Sequence, residues 1–191
     1  GENSISTIVN QEEFTIQDLE PRTYYDVYVR SVCSEINKSE WVGPLSFRTN
    51  CKDGLETPWI ETFEDYSDIS EGCFITIGED EKTNISLATN KYASNGDKGM
   101  LMSLGQYKEL YVVLPRFDAP VSDLKVVFDY YSEEHDGVTG DLILGVMSDI
   151  SDKLTFKQVM AYGTTNSYVT KYQTFENVGK EYENGWIVFK W

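Results

Sequence analysis

This sequence has few of the groups that enzymes use for chemistry. Among its 191 residues there is one histidine, His135, and there are three cysteines, Cys33, Cys51 and Cys73. Nucleophilic catalysis needs a base beside a nucleophile. No Gly-x-Ser-x-Gly, His-Glu-x-x-His or phosphate-cradling glycine loop is present. His135 lies in the acidic turn Glu133-Glu134-His135-Asp136-Gly137, which predicts an exposed turn residue. Glycoside hydrolysis requires a defined pair of carboxylates, and no spacing singles out a pair among the 32 acids. A non-enzyme is expected. The cysteines follow no metal-ligand spacing and allow one intrachain bridge at most. Cys51–Cys73, flanking the start of the second half, is the first choice; Cys33–Cys51 and three reduced thiols stay open.

Basic charge is also scarce. There are 16 Lys and Arg against 32 Asp and Glu, a net charge of −16. Such a surface repels phosphate backbones and anionic headgroups, which excludes nucleic acid as a partner. No apolar run approaches the roughly 20 residues that cross a bilayer, so membrane insertion is not expected. There is no EF-hand loop and no Arg-Gly-Asp tripeptide. Gly1 stands where an initiator Met would be and the first residues already read as strand and turn, so a fragment of a longer polypeptide is expected. The lack of a signal peptide says little about compartment.

What is present is alternation and aromatic mass. Nine Phe, thirteen Tyr and four Trp can build a core without many aliphatic residues. In residues 24–33, Tyr25, Val27, Val29 and Cys33 share one face and Asp26, Tyr28 and Arg30 the other, the pattern of a half-buried strand. Similar runs occur at 101–104, 110–114, 124–131, 142–147, 154–160, 172–175 and 186–191. Turn signals such as Asn95-Gly96-Asp97 and Glu183-Asn184-Gly185 separate them. Helical periodicity is lacking. The predicted fold class is all-β, with a domain boundary near residues 49–57 and a two-sheet core of Phe63, Leu101, Val113, Phe128, Val146, Phe156 and Phe189.

The most specific pattern is Leu19-Glu20-Pro21-Arg22-Thr23-Tyr24-Tyr25 ahead of an alternating strand. Pro21 sets a turn, Thr23 can bond local backbone, and Tyr25 can turn its hydroxyl back to the turn, a tyrosine corner. With Trp41-Val42-Gly43-Pro44-Leu45-Ser46-Phe47-Arg48-Thr49, where Gly-Pro is expected to break an edge strand, residues 1–50 resemble the C-terminal strands of a fibronectin type III domain. That resemblance implies a partial immunoglobulin-like sandwich. About 90–100 residues make the whole domain, so this half is expected to leave its core face open. Pairing with a second copy, a homodimer through the incomplete sandwich, follows as one expectation.

Residues 51–191 resemble another family. Pro58-Trp59-Ile60-Glu61-Thr62-Phe63-Glu64 followed by Gly72-Cys73-Phe74, then Asn95-Gly96-Asp97-Lys98-Gly99-Met100-Leu101, Tyr111-Val112-Val113-Leu114-Pro115, and Leu144-Gly145-Val146-Met147-Ser148-Asp149 with Leu154-Thr155-Phe156, keep the order seen in cleaved-adhesin and choice-of-anchor domains. These are MAM-like jelly rolls of bacterial surface proteins. Phe74 stands where the family has Trp, and the Asp-rich last strand of the family is lacking.

The resemblance implies a jelly-roll β-sandwich at residues 51–191, located extracellularly or on the outer cell surface. It implies adhesion to a host protein or glycan ligand or, alternatively, service as the glycan-binding accessory module of a larger secreted hydrolase. It also implies a structural calcium ion at Glu64 and Asp97, which otherwise read as plain surface acids. Jelly rolls often stack sugars on exposed rings, which makes Tyr107, Tyr131, Tyr162 and Tyr168 the candidate ligand-binding residues; otherwise such rings simply pack. Tyr130 and Tyr131 must face opposite ways, so at most one is core.

Overall fold

The computed structural model describes residues 4–11, 13–78, 83–89, 92–105, 109–132 and 140–191. Its regular structure is β-strand with short 3-10 turns, and among the described residues no helix is long and apolar enough to cross a membrane. The chain divides into two compact units, Gly1–Cys51 and Lys52–Trp191. Cys51 and Cys73 are disulfide-bonded and Cys33 is a free, exposed thiol. A disulfide persists in oxidising compartments, so this bond is consistent with an extracellular location.

The first unit is one antiparallel hairpin, β1 (Tyr24–Val29) and β2 (Val42–Arg48). Tyr25, Val27, Leu45 and Phe47 lie on one face, with Tyr25 stacked on Phe47 at 5.9 Å between ring centres. The expected hydrogen bonds are present. The Glu20 amide donates to Tyr25 Oη at 2.9 Å, and Thr23 Oγ1 donates to the Pro21 carbonyl at 2.9 Å. Gly43-Pro44 does not break β2, which runs through it. The register instead shifts between Val27 and Val29, and Gly43 takes the left-handed φ of +137° that this bulge requires. Val29, Val42 and Leu45 on the apolar face are exposed.

The second unit is built around a five-stranded antiparallel sheet. Its order is β3 (Ile75–Ile77), β6 (Tyr111–Val113), β11 (Trp186–Lys190), β8 (Leu142–Met147) and β9 (Lys157–Tyr162). Two ribbons accompany it, β7 (Lys125–Tyr130) with β10 (Val169–Thr174), and β4 (Asn84–Thr89) with β5 (Lys98–Ser103). Alternation on the central strands supplies both faces of the sheet. Leu144, Val146 and Ile187 turn to one side, where they meet Phe175 and Val178 and, from β7, Val126 and Phe128. Tyr111, Val113, Met147 and Val188 turn to the other, against Ile77, Phe156 and Trp186. The β7–β10 ribbon therefore forms a second layer over the sheet, consistent with a β-sandwich.

Most expected core residues take part, with one correction. Val113 and Val146 are fully buried, and Phe128, Phe156 and Phe189 pack on the clusters. Leu101 is 39% exposed. Leu101 stands opposite Ser86 on the β4–β5 ribbon and belongs to neither core cluster. The two-stranded β4–β5 ribbon lies outside both clusters, so apolar alternation on β5 does not by itself bury Leu101.

Candidate functional site

The site follows from the register of β7 and β10. Tyr130 pairs with Val169, so one step further along the antiparallel ladder Tyr131 stands opposite Tyr168. Their rings lie 5.6 Å apart at 42°. Alternation sends Val126, Phe128 and Tyr130 to the core and leaves Val127, Asp129 and Tyr131 on the outer face. Tyr130 is buried, with its hydroxyl donating to the Gly163 carbonyl at 2.7 Å. Tyr130 and Tyr131 do face opposite ways.

Asp129 ties a third segment to this end of the ribbon. Ser94 Oγ donates to Asp129 Oδ2 at 2.6 Å and Thr170 Oγ1 donates to Oδ1 at 2.5 Å. These two hydrogen bonds, Ser94 first, hold the carboxyl below its ordinary pKa. Ser94 in turn carries Tyr92 to the ring pair. Tyr92, Tyr131, Asn166, Ser167 and Tyr168 line an open cleft of about 300 Å³. Burial raises the Tyr168 phenol pKa and the Asp129 charge raises it further, so Tyr168 is a neutral hydroxyl at physiological pH.

No family model matches this chain, and no curated protein or solved structure does either. What the cleft can do is thus read from its own chemistry. Three aromatic rings offer flat apolar surface, and Asn166, Ser167 and the phenols offer neutral donors and acceptors. No nucleophile–base pair lines it. Such a lining is suited chemically to neutral groups, by ring stacking and hydrogen bonding.

The other expected residues are placed differently. Tyr162, on β9, packs edge-on against Phe128 at 5.5 Å and beside Tyr130 at 5.9 Å, so its ring belongs to the core, apart from the cleft. Tyr107 and His135 lie outside the described residues. Tyr172, on the same outer face as Tyr168, is 68% exposed, with Lys125 Nζ 4.7 Å above its ring. Sequence reasoning did not select Tyr92, Asn166 or Ser167. Only the Ser94–Asp129 hydrogen bond and the β7–β10 register bring them to Tyr131, and neither leaves a local sequence signal.

Glu64 and Asp97 do come together. Glu64 Oε1 accepts from the backbone amides of Asp97 and Lys98, each at 2.9 Å. Asp97 enters this contact through its amide. The carbonyls of Glu64 and Tyr66 accept from Lys98 Nζ at 2.8 and 2.5 Å. As arranged, the Glu64 and Tyr66 carbonyls converge on the Lys98 ammonium. Among the described residues no three His, Cys, Asp or Glu side chains converge to hold a metal.

A further charged cluster is committed to structure. Lys190 bonds the Glu109 carboxylate, and Tyr111 Oη donates to Glu109 Oε2 at 3.1 Å. Burial alone would lower the Lys190 pKa, but the hydrogen bonds to Glu109 and Tyr111 outweigh it and the net shift is upward. Every polar atom in this group that bears charge has a partner, as partly buried charges require.

Proposed function

We propose that this chain is a non-catalytic part of a secreted or cell-surface bacterial protein that acts in adhesion, binding a host ligand at the Tyr92–Tyr131–Tyr168 cleft. One observation carries the reading: three tyrosines and two neutral polar side chains converge on an open cleft with no catalytic pair. The strong acidic excess disfavours anionic ligands and leaves neutral ones compatible. The disulfide fits a secreted protein. The fibronectin-like opening and the jelly-roll-like remainder supply the adhesin reading by resemblance alone.

The polar lining favours a second reading, a glycan-binding accessory module of a larger secreted hydrolase. Neutral sugars present an apolar ring face and many hydroxyls, which stacked tyrosines with Asn166 and Ser167 complement. Arrays of defined glycans and of host matrix proteins, probed with the native chain and with Tyr168→Ala, separate the two. Signal on host proteins that Tyr168→Ala abolishes supports adhesion. Signal on polysaccharides alone, equally sensitive, supports the accessory module. Binding that Tyr168→Ala leaves intact, or no binding to either set, removes the cleft from consideration.

A further inference from the structure

We propose that Lys98 is a built-in cation: its ammonium occupies the position between the 61–66 turn and the 96–98 loop that a bound metal ion would otherwise fill, so this junction holds together without calcium.

The turn is constructed to present oxygens to that position. Phe63 has a left-handed φ of 64°, a conformation that costs a non-glycine residue energy and persists only where its surroundings impose it. Glu61 imposes it here. Its Oε1 accepts from the Phe63 amide at 2.8 Å and its Oε2 accepts from the buried Tyr66 hydroxyl. Phe63 stacks on Phe74 at 5.8 Å and meets Tyr66 edge-on. The backbone between residues 63 and 66 is therefore fixed, with the Glu64 and Tyr66 carbonyls aimed at one point. Two convergent carbonyls beside a carboxylate make a negative spot that needs a cation.

Lys98 supplies it from the neighbouring strand. It opens β5, so its backbone is held by pairing with Thr89, and its side chain reaches both carbonyls. The opposite half of the clasp is anionic. Glu64 Oε1 takes the amides of Asp97 and Lys98, and Gly96, at φ +91°, permits the approach, because a β-carbon there would run into Glu64 Oε1. Glu64 thus binds the loop through its carboxylate while its carbonyl binds the ammonium that the loop carries. A divalent ion would have to displace a charge that the chain already tethers at the site.

The test uses the whole chain. Thermal unfolding is measured in excess EDTA and in excess calcium chloride, for the native chain and for Lys98→Met, which keeps the aliphatic stem and removes the charge. The native midpoint should be the same in both solutions, and Lys98→Met should melt about 3–6 °C lower, as expected for losing two charge-assisted hydrogen bonds in a domain of this size. A native midpoint that falls in EDTA, with amide exchange in residues 61–66 and 96–98 speeding up, would overturn the proposal. So would Lys98→Met melting like the native chain. If Lys98→Met does not fold, amide exchange of the native chain decides alone: equal protection of those two segments with and without calcium supports the tethered cation, and unequal protection refutes it.

Discussion

Tyr131 and Tyr168 face each other one step beyond the last paired residues of β7 and β10, with 5.6 Å between their ring centres. Neither ring is placed by its own neighbours in sequence. A ladder that also pairs Asp129 with Thr170 and Val127 with Tyr172 puts them together, and Asp129 then fastens Ser94 and its segment alongside.

Asp129 makes this corner sensitive to acid. Its pKa is lowered in the folded protein by Ser94 and then Thr170. A carboxyl whose folded pKa is depressed adds stability above its unfolded value of about 4, and that contribution is lost as pH falls through the folded value. The native chain should therefore exceed Asp129→Asn in thermal midpoint at neutral pH, and the gap should close below about pH 4. The group is mostly solvated, so the gap will be small. Melting curves of both proteins across the acid range check this, and a gap that widens in acid contradicts it.

The burial of Phe175 and the exposure of Leu101, an expected core position, predict a sharp contrast. Phe175 is 1% exposed within the main cluster, whereas Leu101 on β5 is 39% exposed and belongs to neither cluster. Phe175→Ala should cost about 3–5 kcal/mol through lost burial and a residual cavity. Leu101→Ala should cost less than about 1 kcal/mol. Urea unfolding of the two variants, followed by tryptophan fluorescence, measures both.

The cysteines should separate by chemistry. Cys33 is exposed and free, so a maleimide should label one thiol per native chain without denaturant. Replacing both Cys51 and Cys73 by Ser opens a loop of about 20 residues and should remove about 3 kcal/mol of stability. Cys33→Ser should leave stability unchanged. Labelling of two or more thiols in fresh native protein, read by mass spectrometry, would count against the bond.

In the first unit, Tyr25→Phe removes only the hydroxyl that accepts from the Glu20 amide. The ring stays on Phe47. A single exposed hydrogen bond of this kind contributes about 0.5–1 kcal/mol. Amide exchange at Glu20 should accelerate several-fold in the variant while the β1–β2 ladder keeps its protection, and mass-resolved exchange on the peptide spanning residues 13–23 reports it.

The sequence by itself determined the strand content and much of the core. Alternation marks β7, β8 and β11 directly because one face of each meets the core and period-two patterning is a local property. The Leu19–Tyr25 run likewise encodes its own turn, since Pro21, Thr23 and Tyr25 bond within a few residues of one another. Short strands such as β3 and the polar β4 left too little pattern to be recognised, being three residues long or flanked by polar residues. Tertiary structure alone decided which tyrosines act together. Tyr162 and Tyr168 look alike in sequence, yet one packs on Phe128 and the other borders a cleft, because strand register assigns faces and partners. The same holds for Lys98, an ordinary lysine in the chain, whose ammonium gains its place only when a turn more than thirty residues earlier directs two carbonyls toward it.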